Sequence, residues 1–149
     1  MILLDTNVVS EMVRPEPAAS VVAWVRRRSI DDLATTTINI AEIRYGLARL
    51  EPGHRRTDLE ARFNDFVSRG FANRVFDFDG QAAEVYGELV VGRERAGRRL
   101  EGFDGLIAAI ARSRSMSVAT RNTTDFAGCG IEVLSPWGEE PPIGRQRGR

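Results

Sequence analysis

A chain of 149 residues with 42% hydrophobic and 28% charged residues is long enough for one domain with a buried core and short for two. Its 21 basic and 21 acidic residues cancel, which argues against a protein that holds polyanions by bulk charge; any nucleic acid must be gripped locally. One cysteine, Cys129, and one histidine, His54, exclude an internal disulfide and a Cys/His zinc site, and the longest run free of polar side chains, Gly105 to Ala111, is far short of a membrane span, so a cytoplasmic protein is expected.

In chain order, short apolar runs rich in β-branched residues alternate with segments of helical period, the pattern of a parallel sheet with helices on its faces. Met1 to Leu4 reads as a first buried strand delivering Asp5 at its C-terminal end, with Thr6 and Asn7 in the turn that follows. Pro15 and Pro17 open a helix that closes on Arg26, Arg27 and Arg28, basic residues being favoured at a helix C-terminus. Leu33 to Thr37 reads as strand two. Asn39 is placed to cap the next helix, where Ile40, Ile43, Leu47 and Leu50 repeat with helical spacing until Pro52-Gly53 interrupts them. A further helix carries Leu59, Phe63, Phe66 and Val67 on one side and gives way near Gly70, after which Val75 to Phe78 reads as strand three.

Asp79 can cap a helix from Gly80 to about Ala96, and the Gly- and Arg-rich stretch from Gly92 to Gly102 is expected to contain a mobile loop. Phe103 to Arg114 reads as a helix of small residues suited to close packing, Ser117 to Thr120 as strand four and Ile131 to Leu134 as a short strand five. From Gly138 onward the composition is too polar to join a core, so residues 1–137 are expected to form a single domain and 138–149 a disordered tail. The fold class is α/β, with a central parallel sheet of four to five strands flanked by helices.

Ligands of such sheets bind outside the C-terminal ends of the strands, and four acids are expected near that edge. Asp5 follows strand one, Asp125 follows strand four after a short turn, and Glu42 and Asp104 are expected in the first turns of helices that start there. Taken singly, each has an ordinary role: Asp5 as an Asx-turn residue, Asp104 as a helix N-cap or first-turn acid, Glu42 on a solvated helix face, Asp125 in a Thr-rich turn. Taken together they repel unless protons or cations intervene, and Mg²⁺ or Mn²⁺ is the natural partner of clustered carboxylate oxygens.

Five blocks in order, Met1-Ile-Leu-Leu-Asp5-Thr6-Asn7, Ile40-Ala-Glu42-Ile-Arg-Tyr-Gly46, Asp104-Gly-Leu-Ile-Ala-Ala109, Val118-Ala-Thr-Arg-Asn122 with Asp125-Phe126, and Pro136-Trp137, resemble the PIN-domain ribonucleases, in particular the VapC toxins of the FitB-like branch. The resemblance runs over nearly the whole chain. It implies a PIN-like α/β/α sandwich and a Mg²⁺- or Mn²⁺-dependent endoribonuclease held in check by a small cognate antitoxin, with homodimers and larger complexes with that antitoxin. Carried over by position, it makes Asp5, Glu42 and Asp104 the family acids. Where the pattern often has an acid directly after Thr-Arg, this chain has Asn122, so the remaining ligand is either Asn122 or Asp125. On this reading Asp5 and Asp104 bind metal directly, Glu42 and Asp125 complete the site, Thr6 and Thr120 orient ligands through their hydroxyls, and Asn7 fixes the turn after strand one. Arg93, Arg95, Arg98 and Arg99 are candidate RNA-phosphate contacts, the alternative being a solvated loop paired with Glu94 and Glu101.

Two other functions compete with this reading. A HAD-type phosphatase also places an Asp after its first strand, but needs a second acid two residues on, where this chain has Asn7. A regulatory module that reaches operator DNA only through its antitoxin would need none of the acids.

Overall fold

Successive side chains of a strand point to opposite faces of its sheet, so Leu3 and Leu4 of β1 (Ile2–Leu4) must enter different cores, and both are fully buried. The computed structural model describes residues 1–138, and the expected tail, Gly138 apart, lies outside the described residues. β1 pairs in parallel with β2 (Leu33–Thr36) on one side and β4 (Ser117–Ala119) on the other. β3 (Val75–Phe76) and β5 (Val133–Leu134) complete a five-stranded parallel sheet of order β3-β2-β1-β4-β5.

Leu4 and Ala119 face a core built by α1 (Thr6–Met12), α2 (Ala19–Arg26), α3 (Thr37–Ala48) and α4 (His54–Gly70), with Val8, Val21, Trp24, Ile43 and Phe63 among its buried members. Leu3 and Val118 face the opposite core, formed by Ala82 and Leu89 of α5 (Gly80–Arg95), Ile107 to Ala111 of α6 (Asp104–Ser113) and Phe126 of α7 (Thr123–Phe126). The chain therefore leaves β1 toward one face and enters β4 from the other, which opens the crevice at the C-terminal ends of these two central strands.

Several boundaries differ from the sequence reading. Asp5-Thr6-Asn7 is no free turn: Asp5 is extended (φ −70°, ψ 163°) and caps α1 by accepting from the Thr6 N–H. The helix expected from Pro15 begins at Ala19. α3 starts at Thr37, capped by Thr36 in place of Asn39, which puts Glu42 in the second turn and not the first, and the turn around Asp125 closes into the one-turn helix α7. Among the described residues no helix is long and apolar enough to cross a membrane.

At the end of α5 the Arg98 N–H bonds the Arg93 carbonyl at 2.9 Å and the Gly97 N–H bonds the Glu94 carbonyl at 3.0 Å. This is the paired C-terminal motif that requires a left-handed residue, and Gly97 supplies it with φ 73°. Gly92, by contrast, lies within the helix. Close approach of α5 and α6 depends on Gly105, where an added Cβ would lie 3.2 Å from Tyr86 and 3.3 Å from Val90. Gly105→Val is therefore expected to destabilise the fold by about 1–3 kcal/mol through overpacking, measured by urea unfolding.

Candidate active site

Asp5 emerges from β1 into the crevice and is 6% exposed. Its Oδ1 accepts from the Thr6 N–H at 2.8 Å and from Asn39 Nδ2 at 3.1 Å, and its Oδ2 accepts from Thr120 Oγ1 at 2.8 Å. Asn39 donates with its second amide hydrogen to Thr6 Oγ1 at 3.0 Å, and Thr6 Oγ1 in turn donates to Glu42 Oε1 at 3.0 Å. Thr36 Oγ1 donates to Asn39 Oδ1 at 2.5 Å while accepting from the Asn39 N–H at 3.1 Å, so the Asn39 side chain is fixed in one orientation. On the β4 side, Thr120 Oγ1 accepts from Asn7 Nδ2 at 3.3 Å and from the Asn122 N–H at 3.1 Å. The Arg121 N–H returns to Asn7 Oδ1 at 3.1 Å. The network thus ties α1, α3 and the exit of β4 to one carboxylate.

Asp104, in the first turn of α6, and Asp125, in α7, line one cavity of about 220 Å³ together with Arg99 and Glu101. Burial, together with the charges of Asp5, Asp125, Glu42 and Glu101, pushes the Asp104 carboxyl up to about 7. Burial also raises Asp5, against the hydrogen bonds from Thr120, Thr6 and Asn39 that favour its ionised form, and the charge of Asp125 adds to the rise. Glu42 is half-buried and raised by burial, opposed by its bond from Thr6 and reinforced by Asp5. The solvated face suggested for Glu42 by helical periodicity is thereby corrected: the start of α1 covers that side of α3. Asn122 precedes α7 and is exposed, its side chain forming no cap on that helix.

The four arginines separate. Arg99 lines the acidic cavity, Arg98 is exposed in the α5–α6 connection, and Arg95 ends α5 beside a separate surface cavity with Gly87, Glu88 and Val91. Arg93 departs from its expected phosphate role. It is 4% exposed, packed inside the fold, and donates to the carbonyls of Ala127 and Asp125. Helical phase is the reason: the helix continues to Arg95, so Arg93 is turned inward. Trp24 and Phe63 are buried in the α1–α4 core, whereas Tyr45 is 65% exposed. Two residues of the hydrogen-bond network around Asp5 are not picked out as site residues by the sequence, Thr36 and Asn39. The spacing Thr36-x-x-Asn39 resembles a capping box, but reading Asn39 as the cap itself left its side chain without this role.

Among the described residues no three His, Cys, Asp or Glu side chains form a ready-made metal cage. The donor set nevertheless suits a hard divalent cation: it is all oxygen and anionic, and each of the three acids whose pKa is raised is pushed up in part by a neighbouring carboxylate. Such a pocket takes up protons or cations, and without them repels a phosphate.

Residues 2–128 match the family model described as PIN domain. The chain is 39% identical to VapC ribonuclease Y4jK of Sinorhizobium fredii, covering 92% of this chain and 98% of that protein. It is 38% identical to toxin FitB of Neisseria gonorrhoeae, covering 92% and 99%. The crystal structure of FitAcB from Neisseria gonorrhoeae superposes with a TM-score of 0.84 at 38% identity, covering 92% of this chain and 99% of that one.

A carboxyl whose pKa is raised by folding binds its proton more tightly in the folded state. Its contribution to stability is full below the ordinary value of 3.8 and is lost as pH rises through about 7. Metal-free protein should therefore lose unfolding free energy across that interval. Asp104→Asn should flatten the fall, measured by urea titration at a series of pH values.

Proposed function

Because this chain belongs to the PIN-domain family, we propose that it is an endoribonuclease toxin of a toxin–antitoxin pair, hydrolysing RNA phosphodiester bonds at the pocket of Asp5, Glu42, Asp104 and Asp125. The observation that carries the reading is the buried Asp5, fixed by three donors and close enough to Asp104 to raise its pKa. Its similarity to a VapC ribonuclease and to toxin FitB supports the substrate class and the toxin role. The HAD-type reading falls with the family assignment.

The residues suited to hold Mg²⁺ or Mn²⁺ are Asp5 and Asp104, with Glu42 and Asp125 completing the set. A divalent cation bound there lowers the pKa of water and neutralises charge on the phosphoryl and leaving oxygens. The chain's own contribution is orientation. Asn39 and Thr120 hold the two Asp5 oxygens in place, Thr6 holds Glu42, and Asn7 ties the exit of β1 to that of β4. Placement beside Asp104 favours Asp125 over Asn122 as the further ligand. Arg99, on the wall of the same cavity, is the arginine best placed to meet an RNA phosphate. We further propose a homodimer and a small antitoxin that covers the acidic pocket; the likeness to a crystal structure of a member of the VapBC family of toxin–antitoxin systems supports the antitoxin.

Antitoxin-free protein should cut total RNA only with Mg²⁺ or Mn²⁺ present, and a chelator should stop it. Asp5→Asn and Asp104→Asn should each lower cleavage by more than the roughly 10–100-fold that loss of an outer metal partner costs, while circular dichroism stays unchanged. Asp125→Asn should also impair cleavage whereas Asn122→Ala should not; the reverse would make Asn122 the ligand. Well-folded protein that binds metal and cuts no RNA would favour the regulatory module.

A further inference from the structure

We propose that Arg93 is a positioning residue for the acidic pocket: its guanidinium fastens the one-turn helix α7 and so holds the Asp125 carboxylate beside Asp104. The inference rests on the reading of that pocket as a metal site.

α7 cannot hold itself. It has four residues, far fewer than an independently stable helix needs, and Asn122 gives it no side-chain cap. Its first turn closes with a 3.0 Å bond from the Asp125 N–H to the Asn122 carbonyl, but the bonds at its C-terminal end are long, 3.3 Å from the Ala127 N–H to the Thr124 carbonyl and 3.4 Å from the Cys129 N–H to the Phe126 carbonyl. The start of α7 is tied down through the Asn122 N–H on Thr120 Oγ1, and two anchors hold the rest of it. Phe126 is buried in the α5–α6 core, and Arg93 reaches from the last turn of α5 to the helix end. Its Nη1 donates to the Ala127 carbonyl and its Nη2 to the Asp125 carbonyl at 3.1 Å. A cation at a helix C-terminus is the favourable sign for the unpaired carbonyls found there.

The cost of this arrangement argues for its purpose. Arg93 is among the buried charged residues, no carboxylate pairs with it among the described residues, and its Nε is buried without a hydrogen-bond partner. Burying an unpaired cation is expensive, and the neighbouring Cys129 thiol, pushed up by burial, supplies no counter-charge. The apolar anchor alone would keep α7 on the core. A planar fork on two carbonyls also fixes its rotation, and rotation decides where the residue next to Phe126, Asp125, points. Lysine, a single point charge, cannot bridge both carbonyls in the same way.

The test is Mn²⁺ titration of metal-free full-length protein by electron paramagnetic resonance, for wild type, Arg93→Met, Asp125→Asn and the double variant, with thermal melts alongside. If Arg93 acts through Asp125, Arg93→Met should weaken Mn²⁺ binding by roughly 10–100-fold, as loss of an outer metal partner does. The double variant should then bind no more weakly than Asp125→Asn alone, because the two changes remove one contribution. Should Arg93→Met fail to fold, Arg93→Lys replaces it in the same cycle with the same expected non-additivity. Losses that add, or a lowered melting temperature with unchanged Mn²⁺ binding, would reduce Arg93 to a scaffold residue and overturn the proposal. With Asp5→Asn titrated alongside as a control for the pocket itself, binding that survives Asp125→Asn but not Asp5→Asn would overturn the proposal while leaving the metal reading intact; no Mn²⁺ binding by wild type would overturn both.

Discussion

A carboxylate withdrawn from water at the midline of the sheet is the constraint on which the site depends. Burial penalises the charge of Asp5, and the fold compensates with three donors from separate places: the first N–H of α1, the amide of Asn39 on α3 and the hydroxyl of Thr120 beyond β4. Each donor is fixed by a further bond, so the exits of β1 and β4 and the start of α3 cannot shift independently. Thr120 uses its single hydroxyl hydrogen on Asp5 and accepts from Asn7 and Asn122, which leaves it no freedom to reorient.

Beside this fixed acid the others are held less tightly. Asp104 lies in the first turn of α6, where the helix end favours negative charge, yet burial and its neighbours raise its pKa to about 7. The helix contributes less than desolvation and like charges cost. The result is a pocket rigid on the Asp5 side and electrostatically unsatisfied on the Asp104 side, which suits recruitment of a cation better than permanent neutralisation by an internal arginine. A partner that placed a cationic side chain among the acids would satisfy the same deficit, and inhibition by a small protein then needs no change of fold.

Much of this was legible in the sequence because it rests on periodicity and on strand ends. Strand one ending in Asp5, the Asp79 cap of α5 and the small-residue helix Asp104–Ser113 all follow from local pattern, and the structure contains each. What was not legible depends on tertiary neighbours. The buried role of Asn39 requires knowing that Thr36 takes the cap and frees its amide. The half-burial of Glu42 requires α1, a seven-residue helix in a segment that reads as a turn followed by a proline-rich approach to α2. For α7, a Thr-Thr-Asp-Phe run has turn composition, and the tertiary anchors that hold it, the core around Phe126 and Arg93 on its carbonyls, come from distant parts of the chain.

Arg93 and Arg99 show why a run of like residues resists functional reading. Six positions apart around one helix end, they have the same chemistry and opposite fates, divided by where the helix stops. Gly97, free to take φ 73°, ends α5 there and not at Gly92, which keeps Arg93 in helical phase and points it into the fold. Beyond the glycine the phase is lost, and Arg99 reaches the acidic cavity as part of its wall. Had the helix ended at Gly92, both would belong to one exposed loop, α7 would lack its fork, and Asp125 would have no fixed direction. The placement of one acid of the pocket thus traces back through a buried guanidinium to the conformational freedom of a single glycine.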